Sequence, residues 1–335
     1  MKKAKLGIVA VAAASMLALA ACNTSNTGGT PVGGDKSGGS NDDIASKYAK
    51  CDVEAGVKDA SSMKIDSGED KKVTITAFSG WAESAATAYV MKDVLTKEGY
   101  QPKVETLDAA PAFTAVAQGD YDMLSDVWLP STHKDYIDKY GDKMEPQGCW
   151  FDSATIEIAV PSYSPAKSIG DLKTMADKYN NEIIGIEPGA GETKTMQDST
   201  IPKYGLDGLK FKTSSTSAML RSLDTAYKQH KNVAVTLWSP HWAYSKYDLR
   251  KLKDPKDAMS GTEGIWNFSR KGFTSDHPLA SQLFKNLVWP EDKLNELENL
   301  MVQKYDNKDP DKAVAEWLKK NPDFEKQLIA GQLKK

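Results

Sequence analysis

Three short segments each place a tryptophan where a strand would end: Gly80-Trp81-Ala82-Glu83, Asp126-Val127-Trp128-Leu129-Pro130 and Thr236-Leu237-Trp238-Ser239-Pro240-His241-Trp242. Tryptophan offers the best π face for a cation among the side chains. A nitrogen that carries only methyl groups has no N–H to donate, so aromatic faces satisfy it and ordinary acceptors do not. Each face contributes about 1–2 kcal/mol once water is excluded. Trp81, Trp128 and Trp238 together suit the holding of a quaternary ammonium rather than its transformation.

A ligand with a trimethylammonium group and a carboxylate also needs donors. Gly189-Ala190-Gly191-Glu192 falls between a strand and a helix. The amides of Gly191 and Glu192 would point out of the helix start, an anion site that needs no basic side chain. Glycine lets the backbone come close. His133, five residues after Trp128, adds a donor for the same carboxylate. Each feature has a plainer reading. A tryptophan after a strand is commonly packing, Gly-Ala-Gly is often only a tight turn, and His133 alone reads as exposed near a helix start. Trp150, Trp266, Trp289 and Trp317 are assigned to packing. Trp242 either lines the same cleft or supports it, and His241 reads as support for its neighbours. The coincidence of three tryptophans with an amide turn favours a site.

The elements that must carry these residues alternate. Residues 72–78 read as a strand, 83–99 as a helix with Ala85, Ala88, Tyr89, Met91, Val94 and Leu95 on its apolar face, 102–107 as a strand, 109–118 as a helix and 121–128 as a buried strand. A second unit follows: strands at 155–160, 182–186, 209–212 and 233–238, with helices opening at 168 and spanning 192–204 and 217–227. Residues 290–305 and 311–331 read as helices, the second with Asp309, Pro310 and Asp311 at its start. Such β-α-β alternation predicts an α/β fold with mostly parallel sheet covered on both faces. Two such lobes joined by crossing strands leave a cleft between them, and ligands sit beyond the carboxyl ends of strands. Trp81 and Trp128 would come from the first lobe and Trp238 from the second.

The chain begins as an exported protein would. Lys2, Lys3 and Lys5 precede an apolar run from Leu6 to Ala21, and Leu19-Ala20-Ala21-Cys22 closes it. Small residues before a cysteine resemble the lipobox of bacterial lipoproteins, which makes residues 1–21 a signal peptide and Cys22 the acylated N-terminus. The alternative is a spanning helix, for which the run is short. Residues 22–45 are Gly, Ser, Thr, Asn and Asp with few apolar side chains, a flexible tether. The 335 residues carry 43 basic and 46 acidic side chains, a net of −3. Removing the three signal lysines leaves 40 against 46, a net of −6. This mixed, mildly acidic balance gives no support to nucleic-acid or anionic-membrane binding. Of three cysteines, Cys51 and Cys149 remain in the body. In an exported protein they read as one disulfide tying the N-terminal extension to the first lobe, with two buried thiols as the alternative. Neither has a second ligand at metal spacing, so no metal and no cofactor is expected.

These motifs resemble those of the substrate-binding proteins of ABC transporters for glycine betaine and related osmoprotectants. The resemblance covers nearly all of 72–332 and rests on Gly80-Trp81-Ala82-Glu83, Asp126-Val127-Trp128-Leu129-Pro130-Ser131-Thr132-His133, Gly185-Ile186-Glu187-Pro188-Gly189-Ala190-Gly191 and Trp238-Ser239-Pro240-His241-Trp242. It implies a two-lobed, periplasmic-binding-protein-like fold of type II. Lobe I would be 46–158 with 262–335 returning to it, and lobe II 159–261. It implies a cage of Trp81, Trp128 and Trp238 around the ammonium, with the Gly191 and Glu192 amides and His133 on the carboxylate. It also implies a lipid-anchored monomer on the outer face of the cytoplasmic membrane that serves an ABC permease and its ATPase. Glu192 stands where relatives commonly have an apolar residue. Only its N–H is needed, so its side chain is expected to point away. If it pointed inward, a ligand without a carboxylate, such as choline, would gain support, and Glu83 raises the same question at the cationic end. Carnitine and proline betaine share the head group. An exported enzyme is disfavoured by the absence of Gly-x-Ser-x-Gly, His-Glu-x-x-His and phosphate-loop motifs. A lipoprotein sensor would use the same cleft.

Overall fold

The computed structural model describes residues 43–335. The signal peptide, Cys22 and nearly all of the tether lie outside the described residues. The body begins slightly earlier than its composition implies. Asp43 accepts a hydrogen bond from the Ser46 amide and caps a 3-10 turn over Ile44–Tyr48. Ala45 is fully buried, and its amide donates to Asp138 at 3.1 Å.

Nine strands form one sheet: β1 (Lys72–Phe78), β2 (Gln101–Leu107), β3 (Met123–Leu129), β4 (Met144–Pro161), β5 (Glu182–Ile184), β6 (Lys210–Lys212), β7 (Val235–Ser239), β8 (Leu249–Lys251) and β9 (Thr262–Arg270). Their order is β2-β1-β3-β9-β4-β7-β5-β6, with β8 beside β4. The two ends of the sheet are parallel, as helical crossovers require: β1 with β2 and β3, and β5 with β6 and β7. The middle is antiparallel, which corrects the expectation of a mostly parallel sheet. Strands β4 and β9 carry the chain directly from one half to the other and back, so they pair antiparallel with each other and with β3, β7 and β8.

The 18-residue β4 serves both halves: Met144–Thr155 pairs with β9 and Thr155–Pro161 with β7 and β8. Only its second half was legible as a strand. Its first half holds Pro146 and Gly148, and the register shifts three times between Pro146 and Ala154, which erases the two-residue alternation. Strands β8 and β9 gave no clear period either. The predicted helix 311–331 is split into Pro310–Lys320 and Phe324–Ile329, because Pro322 supplies no amide and restricts Asn321. Its start is as read, with Pro310 in the first turn and the Asp309 side chain accepting from the Lys312 amide.

Cys51 and Cys149 form a disulfide with a Cα–Cα distance of 5.7 Å. It joins the N-terminal extension to β4. Gly264 on β9 must stay bare beside it, since a Cβ there would lie 2.5 Å from the Cys51 Cβ. Trp150, Trp289 and Trp317 are core: the Trp150 indole donates to the Ser125 carbonyl at 2.9 Å, and Trp289 and Trp317 pack around Phe324. Trp266 is half-buried, edge-on to Tyr48. No helix among the described residues is long and apolar enough to cross a membrane.

Candidate functional site

Each predicted tryptophan sits at the end of a strand in the middle of the sheet or just beyond one. After β1 the chain turns through Gly80, at φ +82°, and Trp81 caps the helix Ala82–Lys97. That turn needs glycine for its backbone angle, and a Cβ there would also press on Thr216 at 3.1 Å. Trp128 is the penultimate residue of β3, opposite Ile265, and Trp238 lies on β7 opposite Ile156. The Trp81 and Trp238 rings are 5.7 Å apart, tilted by 50°. Trp81, Trp128 and Trp238 bound one tight cavity of about 10 Å³, together with Glu83, Thr132, Ile156, Ile186 and Glu192. The indoles are 5, 2 and 3% exposed, so a cation among them would be shielded from water. No basic side chain lines the space.

Acids stand behind the indoles. The Trp81 N–H donates to Glu187 Oε1 at 2.8 Å and the Trp128 N–H to Asp126 Oδ1 at 2.8 Å. The Glu83 carboxyl adjoins the Trp238 N–H. Glu83, Asp126 and Glu298 form a fully buried group. Burial, then repulsion from Asp126 and Glu298, pushes Glu83 well above the usual carboxylate range. Burial pushes Asp126 up to about 8, and burial with the charge of Asp126 takes Glu298 to about 8 as well. A permanent positive charge in the cavity would favour their ionised forms. Sequence reasoning missed Glu187, Asp126 and Glu298 as a set. Glu187 and Asp126 stood inside conspicuous motifs, whereas Glu298 is one of four acids on an ordinary amphipathic helix, Glu291–Asn299.

The amide turn is formed as read. Ala190 is extended and caps a helix that opens with Gly191–Thr195 and continues through a π turn to Tyr204. The first amides of a helix have no carbonyl one turn earlier to receive them. Gly191 packs directly on the turn after β3, where a Cβ would fall 1.9 Å from the Thr132 carbonyl oxygen. The expectation for the Glu192 side chain is overturned. It does not point away: it is buried and lines the cavity, and neither oxygen has a hydrogen-bond partner.

His133 is fully buried rather than exposed, behind Trp81, with the two rings parallel at 5.8 Å. It packs edge-on to Phe78, Phe113 and Tyr136 and is not among the residues that bound the cavity. Its Nδ1 accepts the Trp128 amide at 2.9 Å, and Nε2 has no partner. Burial lowers its pKa to about 3, so the ring is neutral and carries its proton on Nε2, ready to donate. His241 repeats the pattern beside Trp238: Nδ1 accepts the Ala243 amide, and the ring stands edge-on at 4.7 Å. Trp242 stacks on His241 and supports the cage from outside the cavity.

The turn that bears Thr132 is held by Glu263, which accepts from the amides of Ser131 and Thr132 at 2.7 and 2.8 Å. Contacts across the cleft are direct. The Tyr136 hydroxyl donates to the Gly189 carbonyl at 2.7 Å, and Glu187 takes Trp81 from one side and the Thr216 amide from the other. The two halves are closed on each other.

A family model described as the substrate binding domain of ABC-type glycine betaine transport system matches residues 71–320. The glycine betaine/carnitine transport binding protein GbuC of Listeria monocytogenes serotype 1/2a (strain 10403S) is 37% identical over 153 residues, 45% of this chain and 50% of that protein. The match thus spans half the length of that relative. Lactococcal OpuAC in its closed-liganded conformation, complexed with glycine betaine, superposes with a TM-score of 0.71 at 34% identity, covering 78% of this chain and 100% of the other. The glycine/betaine/L-proline-binding protein ProX of Borrelia burgdorferi gives 0.72 at 30%, covering 79% and 97%. The fold is that of the two-lobed type II periplasmic binding proteins. The chain therefore belongs to the family of substrate-binding domains of ABC-type glycine betaine transport systems, as a transport component and not an enzyme.

Proposed function

We propose that this protein is a lipid-anchored receptor that closes around glycine betaine or a related quaternary ammonium osmolyte and delivers it to an ABC permease. Trp81, Trp128 and Trp238 hold the methylated nitrogen by cation–π attraction. The first amides of the helix at Gly191 and Glu192 face an anionic tail, while the Nε2–H of His133 lies behind Trp81 and reaches that tail only if Trp81 moves aside on binding. Lobe I comprises 46–158 and 262–335 and lobe II 159–261, so that closure brings Trp238 to the other two indoles. Acylation at Cys22 holds the monomeric body at the outer face of the membrane, which needs more than one acyl chain to be stable.

The observation that carries this reading is the convergence of three indoles from separate strands on one cavity with acidic and aliphatic but no basic lining. The inward Glu192 favours a second ligand, choline, whose tail is a hydroxyl. The test is a thermal-shift and calorimetric screen of the purified chain against glycine betaine, proline betaine, carnitine and choline. A rise in melting temperature with at least one is expected, since binding to the native state alone stabilises it. No shift with any of the four would refute the cage.

A further inference from the structure

This inference rests on the reading that a quaternary ammonium sits among the three indoles, and it concerns the other end of the ligand. Glu192 bounds the cavity, is 3% exposed, and has no partner for either carboxyl oxygen. A buried polar group without a partner is costly, so Glu192 gains from a polar tail, while Glu83, equally unpartnered on the same cavity and beside Trp238, faces the ammonium end. Its surroundings hold no cation that would neutralise it directly. From β4 comes Glu157, whose Oε1 is already engaged by Ser239 Oγ at 3.1 Å, the Tyr244 hydroxyl at 2.7 Å and Lys251 Nζ at 3.0 Å. From β7 comes the Thr236 hydroxyl, and from the preceding turn Glu187, which is committed to Trp81 and Thr216. Glu83 lies on the same cavity and adjoins Trp238.

We propose that Glu192 selects the tail of the ligand, and does so with opposite sign in its two protonation states. As the neutral acid, its O–H donates to a carboxylate tail. As the carboxylate, it accepts from a hydroxyl tail and repels a carboxylate one, its proton having passed to solvent. Burial, and after it the charge of Glu157, hold this carboxyl well above the ordinary carboxylate range. Its titration is thereby moved upward from the acid range. His133 and His241 are both held down to about 3 by burial and keep one charge throughout. Glu83 and the acids behind it also move the ratio, because glycine betaine is neutral overall while choline carries a net positive charge, so a chain without the Glu192 carboxyl is the reference that isolates its share.

The test is calorimetry of the full chain with glycine betaine and with choline at about pH 5 and about pH 9, a range in which neither compound changes charge. The betaine-to-choline affinity ratio is expected to fall by at least about tenfold from the lower to the higher pH, the change that one pKa unit of coupling produces. In Glu192→Gln, whose amide both donates and accepts at every pH, the ratio is expected to move at least about tenfold less than in the unmodified chain. A constant ratio in the unmodified chain, or an equal movement in E192Q, overturns the assignment and leaves the cage intact. Binding of neither compound at either pH overturns the cage and this inference with it.

Discussion

The chemistry of single residues in this cleft is governed by what lies behind them. An indole whose N–H meets a carboxylate is held in one orientation, so Trp81 and Trp128 are fixed before any ligand arrives. Removing one face should be felt in full: Trp128→Ala or Trp238→Ala is expected to weaken binding of the quaternary ammonium by at least about tenfold, read by calorimetry. The buried acids make a second prediction. Asp126 and Glu298 bind protons in the folded chain up to about pH 8, whereas unfolded they release them near the ordinary carboxylate value. The folded state therefore holds more protons between those limits, and stability falls as pH rises through them. The melting temperature of the ligand-free protein is expected to drop from about pH 5 to about pH 8, with a shallower slope in Glu298→Gln. An equal slope in both would rule out Glu298 as a contributor. The tryptophans were legible because a rare, large residue repeated at strand ends is conspicuous. The acids were not assembled in advance, since residues 83, 126 and 298 meet only through packing of three distant elements.

Elements decide how closely the two sides of the cleft approach. The helix opening at Gly191 packs on the backbone and side-chain methyl of Thr132 in the turn after β3, and no side chain larger than hydrogen fits between them. Gly191→Ala is expected to cost more than tenfold in ligand affinity, on the order of 1.4 kcal/mol or more. Without ligand the two halves are free to part and relieve the clash, so its unfolding free energy should change by about 1 kcal/mol or less. Wild-type affinity in calorimetry would show that this contact is dispensable. The N-terminal extension is a separate matter of chain entropy. The disulfide spans a sequence separation of 98, and such a loop restricts the unfolded chain strongly. Replacing Cys51 and Cys149 by serine is expected to lower stability by about 2–4 kcal/mol in urea unfolding. The pairing could be read from two cysteines in an exported chain. The second half of β4 could be read, and its first half could not, because bulges beside Cys149 spoil the alternation that reveals a strand.

At the scale of the whole molecule the sheet is continuous while the cleft is not. Strands β4 and β9 run through both halves, so they form a connected floor about which the halves can move as rigid bodies. Closure is then a balance between cross-cleft contacts, such as Tyr136 to Gly189 and Trp81 to Glu187, and the cost of burying the acids of the cavity. Under the proposed function, a ligand cation tips that balance by differential contact with the closed form. Glu187→Ala removes the acceptor for Trp81 and for Thr216 together. It is expected to weaken ligand binding several-fold while leaving the parallel ends of the sheet folded, as checked by calorimetry and circular dichroism.

The sequence by itself determined the residue types available and their local frame: three indoles at strand ends, a glycine-bordered helix start, two alternating α/β units and a pair of cysteines. These depend on short-range rules, namely the strand and helix periods and the backbone freedom of glycine. Tertiary structure alone decided that the Glu192 side chain enters the cavity, that His133 lies behind Trp81, that β4 and β9 run antiparallel between the halves, and that three carboxyls gather behind the cage. The direction of a side chain at the start of a helix follows from which neighbours leave room for it, and around Glu192 these include Glu157 and Thr236, each more than thirty residues away.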